Sequence, residues 1–351
     1  MYALPYAAAD ALGGLALAGL VHALSKQRRA PEYPGPAAAA AFYLWNPLAV
    51  AACCGGSSGG LEAAAALCAL CATACKRPAL AALALACAAH LTIHALLLLV
   101  PLAMLLIHGA EDLSFDPRPE ACALRSRKAI SLRRHACAGL AAGAACPAGQ
   151  VGDPNSKLDP SQDFWGGAAP RHWVAETYGF ALRAEDLEPN SGLHWYLAAQ
   201  LQGARAPGLR GLRAPTRALL HLLAAGLAAP MALRLPRQPL LGFLVQAVAT
   251  CLWHPYPSVS HVALYLALLP LFAVRLRRLQ APQAMALSFL VMAAVFPATW
   301  HLWAERRSGN ANHLFAVTLL FGFWQVLLLV QLVTTARDVE RLERVRSHHR
   351  A

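Results

Sequence analysis

Two acidic clusters are the first places where this chain could do chemistry: Glu111-Asp112 and Glu185-Asp186-Leu187-Glu188. Paired carboxylates act as acid and base, or hold a cation, only if both groups reach the reacting atoms. Large polytopic membrane glycosyltransferases keep such acids in a lumenal loop near the first helix. Here the acid-x-acid pair, Asp186 and Glu188, lies past the middle of the chain, and it reads as a charged, solvated turn. Asp10 sits at a membrane edge, where the start of a helix favours a negative charge. His90 and His94 are four apart in an apolar run, which predicts a shared helical face and a buried, hydrogen-bonded pair. Cys68, Cys71 and Cys75 lie at spacings of three and four, and read as small buried side chains on one face. No second Cys-x-x-Cys follows at zinc spacing, so neither a metal site nor a cofactor is expected. The motifs G-x-S-x-G, Walker A and H-E-x-x-H do not occur.

A different chemistry stands out: uncharged amides set among aromatic rings at the ends of apolar runs. Tyr43-Leu44-Trp45-Asn46-Pro47 is one such place. Pro47 removes a backbone donor, and Asn46 can satisfy the freed groups or meet a headgroup. The stretch 186–196 is a second, with a Pro-Asn-Ser-Gly turn followed by His194, Trp195 and Tyr196. Tyr256-Pro257-Ser258-Val259 is a third. In the fourth, Trp300, His301 and Trp303 precede the turn Ser308-Gly309-Asn310-Ala311-Asn312. Trp300 and Trp303 are three apart, on one helical face at headgroup level. The amides of Asn310 and Asn312 can donate to a phosphate or accept from an ammonium or sugar hydroxyl without adding a charge. The candidate lipid-binding residues are therefore Asn46, Asn190, Trp195, Tyr196, Trp300, His301, Trp303, Asn310 and Asn312. Each also has a plain structural use, as a turn, a cap or an interfacial anchor.

The elements that would position these residues are membrane helices. The 351 residues are 58% hydrophobic and 14% charged, whereas soluble domains carry about 25% charged residues. Net charge is +12, from 30 Lys and Arg against 18 Asp and Glu. The basic residues cluster between apolar runs, as positive-inside anchors do, without the aromatic–basic interleaving of a nucleic-acid platform. Nucleic acid is therefore not an expected partner. Apolar runs cover 6–24, 37–54, 61–75, 80–107, 218–235, 240–252, 259–274, 284–302 and 314–335. The first lacks a basic stretch before it and reads as a membrane helix rather than a cleaved leader. The chain is thus expected to be all-α, a polytopic transmembrane helical bundle with about 8–10 membrane segments. Residues 1–107 form N-terminal membrane helices and 108–173 a polar loop. Residues 174–336 form C-terminal membrane helices with lumenal loops, and 337–351 a charged cytosolic tail. The basic residues place the 275–278 turn and the tail in the cytosol, and the 305–312 turn in the lumen.

Several of these motifs, in one order, resemble the PIG-U family, the multi-spanning subunit of the endoplasmic-reticulum GPI transamidase. The matching residues are Tyr43, Leu44, Asn46 and Pro47, then Tyr178-Gly179-Phe180, Asp186-Leu187, Pro189-Asn190, Gly192-Leu193 and Trp195-Tyr196. Tyr256-Pro257, Val259, the 262–266 run, Pro297, the 300–303 block and the 308–312 turn before Phe315 follow. Residues 108–173 do not share in the likeness. The family has a further N-terminal span, so relative to it this chain starts late. His261 stands where the family tends to have Asp. The resemblance implies an architecture like that of polytopic GPI-pathway mannosyltransferases. It also implies a non-catalytic subunit that binds the GPI glycolipid and other transamidase subunits, with the cysteine nucleophile on another chain. The alternative is a GPI-pathway mannosyltransferase using a lipid-linked sugar, which would need an intact lumenal acidic pair. A transporter would need paired broken helices at matching places in two halves, and none is read here.

Overall fold

A computed structural model describes residues 4–27, 34–109, 178–179, 182, 188–203, 208, 211–235, 238–277 and 279–348. Every regular element among them is helical. In a membrane this is what the backbone demands, because a helix satisfies its own polar groups. In chain order they are α1 (Leu4–Gln27), α2 (Pro36–Leu44), α3 (Pro47–Cys54), α4 (Ser58–Ala74) and α5 (Pro78–Leu91). A 3₁₀ turn, Ile93–Leu98, leads into α6 (Leu99–His108). Then come α7 (His194–Gly203), α8 (Arg213–Arg234), α9 (Pro239–Trp253) and α10 (Val259–Leu268), followed by Leu269–Phe272 and Ala273–Leu276. Last are α11 (Pro282–Trp300), which ends in a π-helical turn at His301–Glu305, and α12 (Ala311–His348).

Helix α9 is the centre. Its residues 239–252 are all buried, and it packs against α6, α8, α10 and α12. An N-terminal group forms as α1 packs on α2 and α4, and α4 on α5. Gly13 permits the closest approach there. A Cβ on it would stand 2.9 Å from Cε1 of Tyr43, whose hydroxyl donates to Asp10 Oδ1 at 3.2 Å. Lys76, at φ 59°, turns its ammonium to the carbonyls of Leu105 and Leu106 at 3.1 and 3.2 Å. A cation there satisfies the orphan acceptors at the end of α6.

Among the described residues three helices are long and apolar enough to cross a membrane: Leu4–Lys26, Pro282–Glu305 and Ala311–Asp338. Helices α2 and α3 make a fourth crossing if taken together, with a 51° bend between them. The other apolar helices run 10–17 residues. The expected helical membrane bundle is present, but its segments are unequal.

The apolar run 80–107 is one departure from expectation. It is not one helix, because α5 stops at Leu91 and Thr92 is extended at φ −148°, ψ 128°. The β-branched pair Thr92-Ile93 accepts extended backbone readily, and the Thr92 hydroxyl meets His254 Nε2 at 3.4 Å. His90 and His94 therefore do not share a face. His90 is exposed on α5, while His94 is buried beyond the break. The loop expected at 108–173 lies, apart from His108 and Gly109, outside the described residues.

The turn after Leu276 sits beside the far part of α12, where the Gln280 backbone N–H donates to Gln331 Oε1 at 2.7 Å. The basic turn and the basic tail are thus at one end of the α11–α12 pair. The 305–312 turn is at the other.

Candidate functional site

Between α11 and α10 lies a deep apolar groove of about 690 Å³. Its walls come from four stretches of chain, Phe42 to Leu48, Ser258 to Pro270, Leu276 to Pro297, and Val317 to Leu328, with Ser191 added from the turn before α7. Among the described residues α11 packs chiefly on α12, and the side of α10 that faces α11 is left open. From Pro282 to Pro297 the wall climbs fifteen residues, ~22 Å at ~1.5 Å each. That is most of the ~30 Å hydrocarbon depth of a bilayer. Ser258, at the N-terminal end of α10, and Ser191, joined to it through the Pro257 carbonyl, make one end of the lining polar, and Asn46 and Thr318 are its other small polar side chains. Trp45 and Leu290, 85% and 67% exposed, stand on the banks, so the groove is open sideways.

Beside the groove is a polar–aromatic rim that holds most of the residues singled out from sequence. Trp195, buried at the start of α7, meets Tyr196, Trp303 and Phe315 at ring distances of 5.5, 5.7 and 6.4 Å. Tyr196 stacks flat on Phe315 at 3.9 Å, and its hydroxyl donates to Asn312 Oδ1. Asn310 Oδ1 accepts from the Asn312 backbone N–H at 2.9 Å. That bond fixes the amide's orientation and leaves the Asn310 NH₂ as a donor at an exposed turn. Trp300 Nε1 donates to the Pro189 carbonyl at 3.3 Å and ties the turn before α7 to α11. Asn190 Oδ1 accepts from the Gly192 N–H at 2.7 Å, and its Nδ2 donates to the Glu188 carbonyl at 3.3 Å. His301 Nδ1 lies 2.6 Å from Glu305, while its Nε2 accepts from Arg306 Nε at 3.1 Å. His301 therefore bridges the Glu305 carboxylate and the Arg306 guanidinium at the rim.

Asn46 stands apart from this rim. Its Oδ1 accepts from the Leu48 N–H at 3.0 Å, capping α3 at the bend, and it lines the groove directly. Cap and headgroup contact are compatible uses of one amide, since the cap takes only an oxygen lone pair. Of the nine residues, it alone borders the groove. The acidic cluster 185–187 and Glu111-Asp112 lie outside the described residues.

One constellation was not foreseen. Five imidazoles, four of them buried and His221 half-buried, form a chain next to the turn that ends the groove. His94 Nε2 meets His221 Nδ1 at 3.2 Å, and its ring lies 4.5 Å from that of His254. His194 sits 5.4 Å from His221, and His254 sits 4.7 Å from His261. His261 Nε2 closes the chain on Glu62 Oε2 at 3.1 Å. Two backbone amides set the tautomers. The Tyr256 N–H donates to His254 Nδ1 at 3.0 Å, and the Ser258 N–H donates to His261 Nδ1 at 3.0 Å. Both Nδ1 atoms must therefore be lone-pair acceptors. Among the described residues no three His, Cys, Asp or Glu side chains converge to hold a metal. Sequence offered only a partial hint, the His90–His94 spacing, and that pairing is wrong.

The family model described as GPI transamidase subunit PIG-U matches residues 1–321 of this chain. Among curated proteins, the human GPI-anchor transamidase component PIGU is 29% identical over 157 residues. That match takes in 45% of this chain and 34% of the human one. The mouse component of the same name is likewise 29% identical over 157 residues, 35% of its length. The GPI transamidase component GAB1 of Saccharomyces cerevisiae is 28% identical over 160 residues, 46% of this chain and 39% of the yeast one. The matched stretch thus spans little more than a third of each relative.

Proposed function

We propose that this chain, which belongs to the GPI transamidase subunit PIG-U family, is a non-catalytic transamidase subunit of the endoplasmic-reticulum membrane that binds the GPI glycolipid and holds it for transfer. The groove carries this reading. It is apolar over most of a bilayer's depth, polar near one end, and open to the side. Within a membrane, an apolar wall gains little over lipid tails, which are equally apolar. Discrimination must therefore come from shape and from the polar end. Acyl chains lie in the groove, with Asn46 at its upper bank. The glycan rests on the rim, against the Trp300 and Trp303 faces and within reach of His301, Asn310 and Asn312. Asn190, Trp195 and Tyr196 support that rim from below. Fixing a substrate near another subunit's nucleophile is itself a contribution to rate.

The test is the double substitution Asn310→Ala, Asn312→Ala in cells that carry no other copy. Surface display of GPI-anchored proteins is expected to fall while the subunit still co-purifies with its partners. Normal display would remove both amides from the site. Loss of co-purification would make the turn an assembly element instead.

A further inference from the structure

A carboxylate or amide at the third position of a helix completes a capping box by accepting from the N-cap amide. In this chain His261 Nδ1 accepts that bond, from the Ser258 N–H, while the Ser258 side chain returns the box. The same turn carries a second imidazole acceptor, His254 Nδ1 under the Tyr256 N–H. Both bonds lie in one five-residue turn, 254–258, between α9 and α10. A carboxylate keeps its acceptor across the neutral range, but an imidazole does not. Adding a proton to either Nδ1 would set N–H against N–H, so the bond is lost rather than weakened.

The turn borders the groove. Ser258 and Val259 line it, as does Ser191, whose hydroxyl donates to the Pro257 carbonyl at 3.2 Å. On the reading of the groove as a lipid site, we propose that the 254–258 turn is an acid-sensitive latch: protonation of His254 breaks its bond to the Tyr256 amide, opens the groove's polar end and lowers its hold on lipid.

The surroundings sharpen the response. The groups facing the latch are Glu62 from α4, Thr92 and His94 from the break before α6, His194 from α7, and His221 from α8 with Arg217 beside it. Glu62 is the one acid of this set and Arg217 is already positive, while the imidazoles become positive on protonation, so each added proton disfavours the next. Burial, with His261 and His94 alongside, holds His254 well below the usual histidine range. Burial, then His221, pushes His194 down to about 4. A group whose closed-state pKa is depressed favours closure above its free value, ~6.5, and loses that contribution as pH falls. The latch is shut at pH 7 and opens on the acid side.

The variant that tests this keeps an acceptor for each of the two backbone amides and removes the titration. Asn at 254 can accept from the amide two residues on, as Asn46 and Asn190 already do here. Gln at the third helical position is a standard capping-box partner. The full chain, purified in mild detergent with its co-assembling subunits, is loaded with pyrene-labelled phosphatidylinositol. Retention and amide exchange of the 254–258 peptide, corrected for intrinsic rate, are compared at pH 7.0 and 5.0. One displaced proton shifts such an equilibrium up to ~10-fold per pH unit. Wild type is expected to lose protection at least about tenfold and to release the probe. His254→Asn with His261→Gln is expected to do neither. Each single substitution is measured as well, in case the pair does not fold. Unchanged protection in wild type, or equal loss in the variants, overturns the latch. If the probe does not bind even at pH 7.0 while protection behaves as expected, the lipid reading fails and so does the latch's role in release.

Discussion

His261 Nε2 donates to the Glu62 carboxylate at 3.1 Å and so fastens α10 to α4 across 199 residues of sequence. Both side chains are 11% exposed. Because Nδ1 is occupied as an acceptor, Nε2 must carry the proton, and Glu62 is the group that satisfies it. Glu62→Ala strands that buried donor and is expected to destabilise the protein by about 2 kcal/mol. Glu62→Gln keeps an accepting oxygen and should cost under ~1 kcal/mol. Thermal unfolding in detergent measures both. Equal damage from the two would show that the charge, not the acceptor, matters.

Gly192 is where the turn before α7 presses on the 254–258 turn. A Cβ there would stand 2.7 Å from Pro257 Cδ and 3.1 Å from the His254 carbonyl oxygen. Gly192→Ala is expected to cost about 1–3 kcal/mol as an overpacking change. Gly226, inside α8 with open space at its Cβ position, is the control. Gly226→Ala should stabilise by about 0.5–1 kcal/mol. A melting shift of the same sign for both would refute the contact as the cause.

Ala293 lines the groove from α11, whereas Ala298 is exposed on the same helix and does not. Ala293→Trp fills the groove without crowding a packed core. GPI attachment is expected to drop about tenfold, equivalent to ~1.4 kcal/mol of lost binding. Ala298→Trp should leave it near wild type, and both should still assemble. Equal activity of the two variants would mean the groove is not where lipid sits.

Legibility in sequence followed the range of the interaction. The helices α1, α11 and α12 are long apolar runs, and periodicity plus length suffices to find them. Asn46-Pro47 reads as a cap at a bend, because both residues act within a turn of themselves. The break at Thr92 has no Gly or Pro to mark it. It is stabilised by His254, 162 residues away. The groove is invisible for a similar reason: Phe289, Val262 and Phe321 are ordinary apolar residues, and concavity arises only when four distant stretches meet. The imidazole chain is the extreme case. Its members come from five elements, whereas sequence spacing pointed to a buried pair with His90, which is exposed on the far side of the break. The rim was easier, since indoles and amides near span ends are uncommon enough to notice one by one.

Helix α12 runs unbroken for 38 residues, from the amide turn to His348. At ~1.5 Å per residue it is ~57 Å long, nearly twice the thickness of the oily layer it crosses. Its charged last third must therefore stand clear of the bilayer as a stiff rod. Any protein that grips that rod holds a lever whose other end is the Asn310–Asn312 turn.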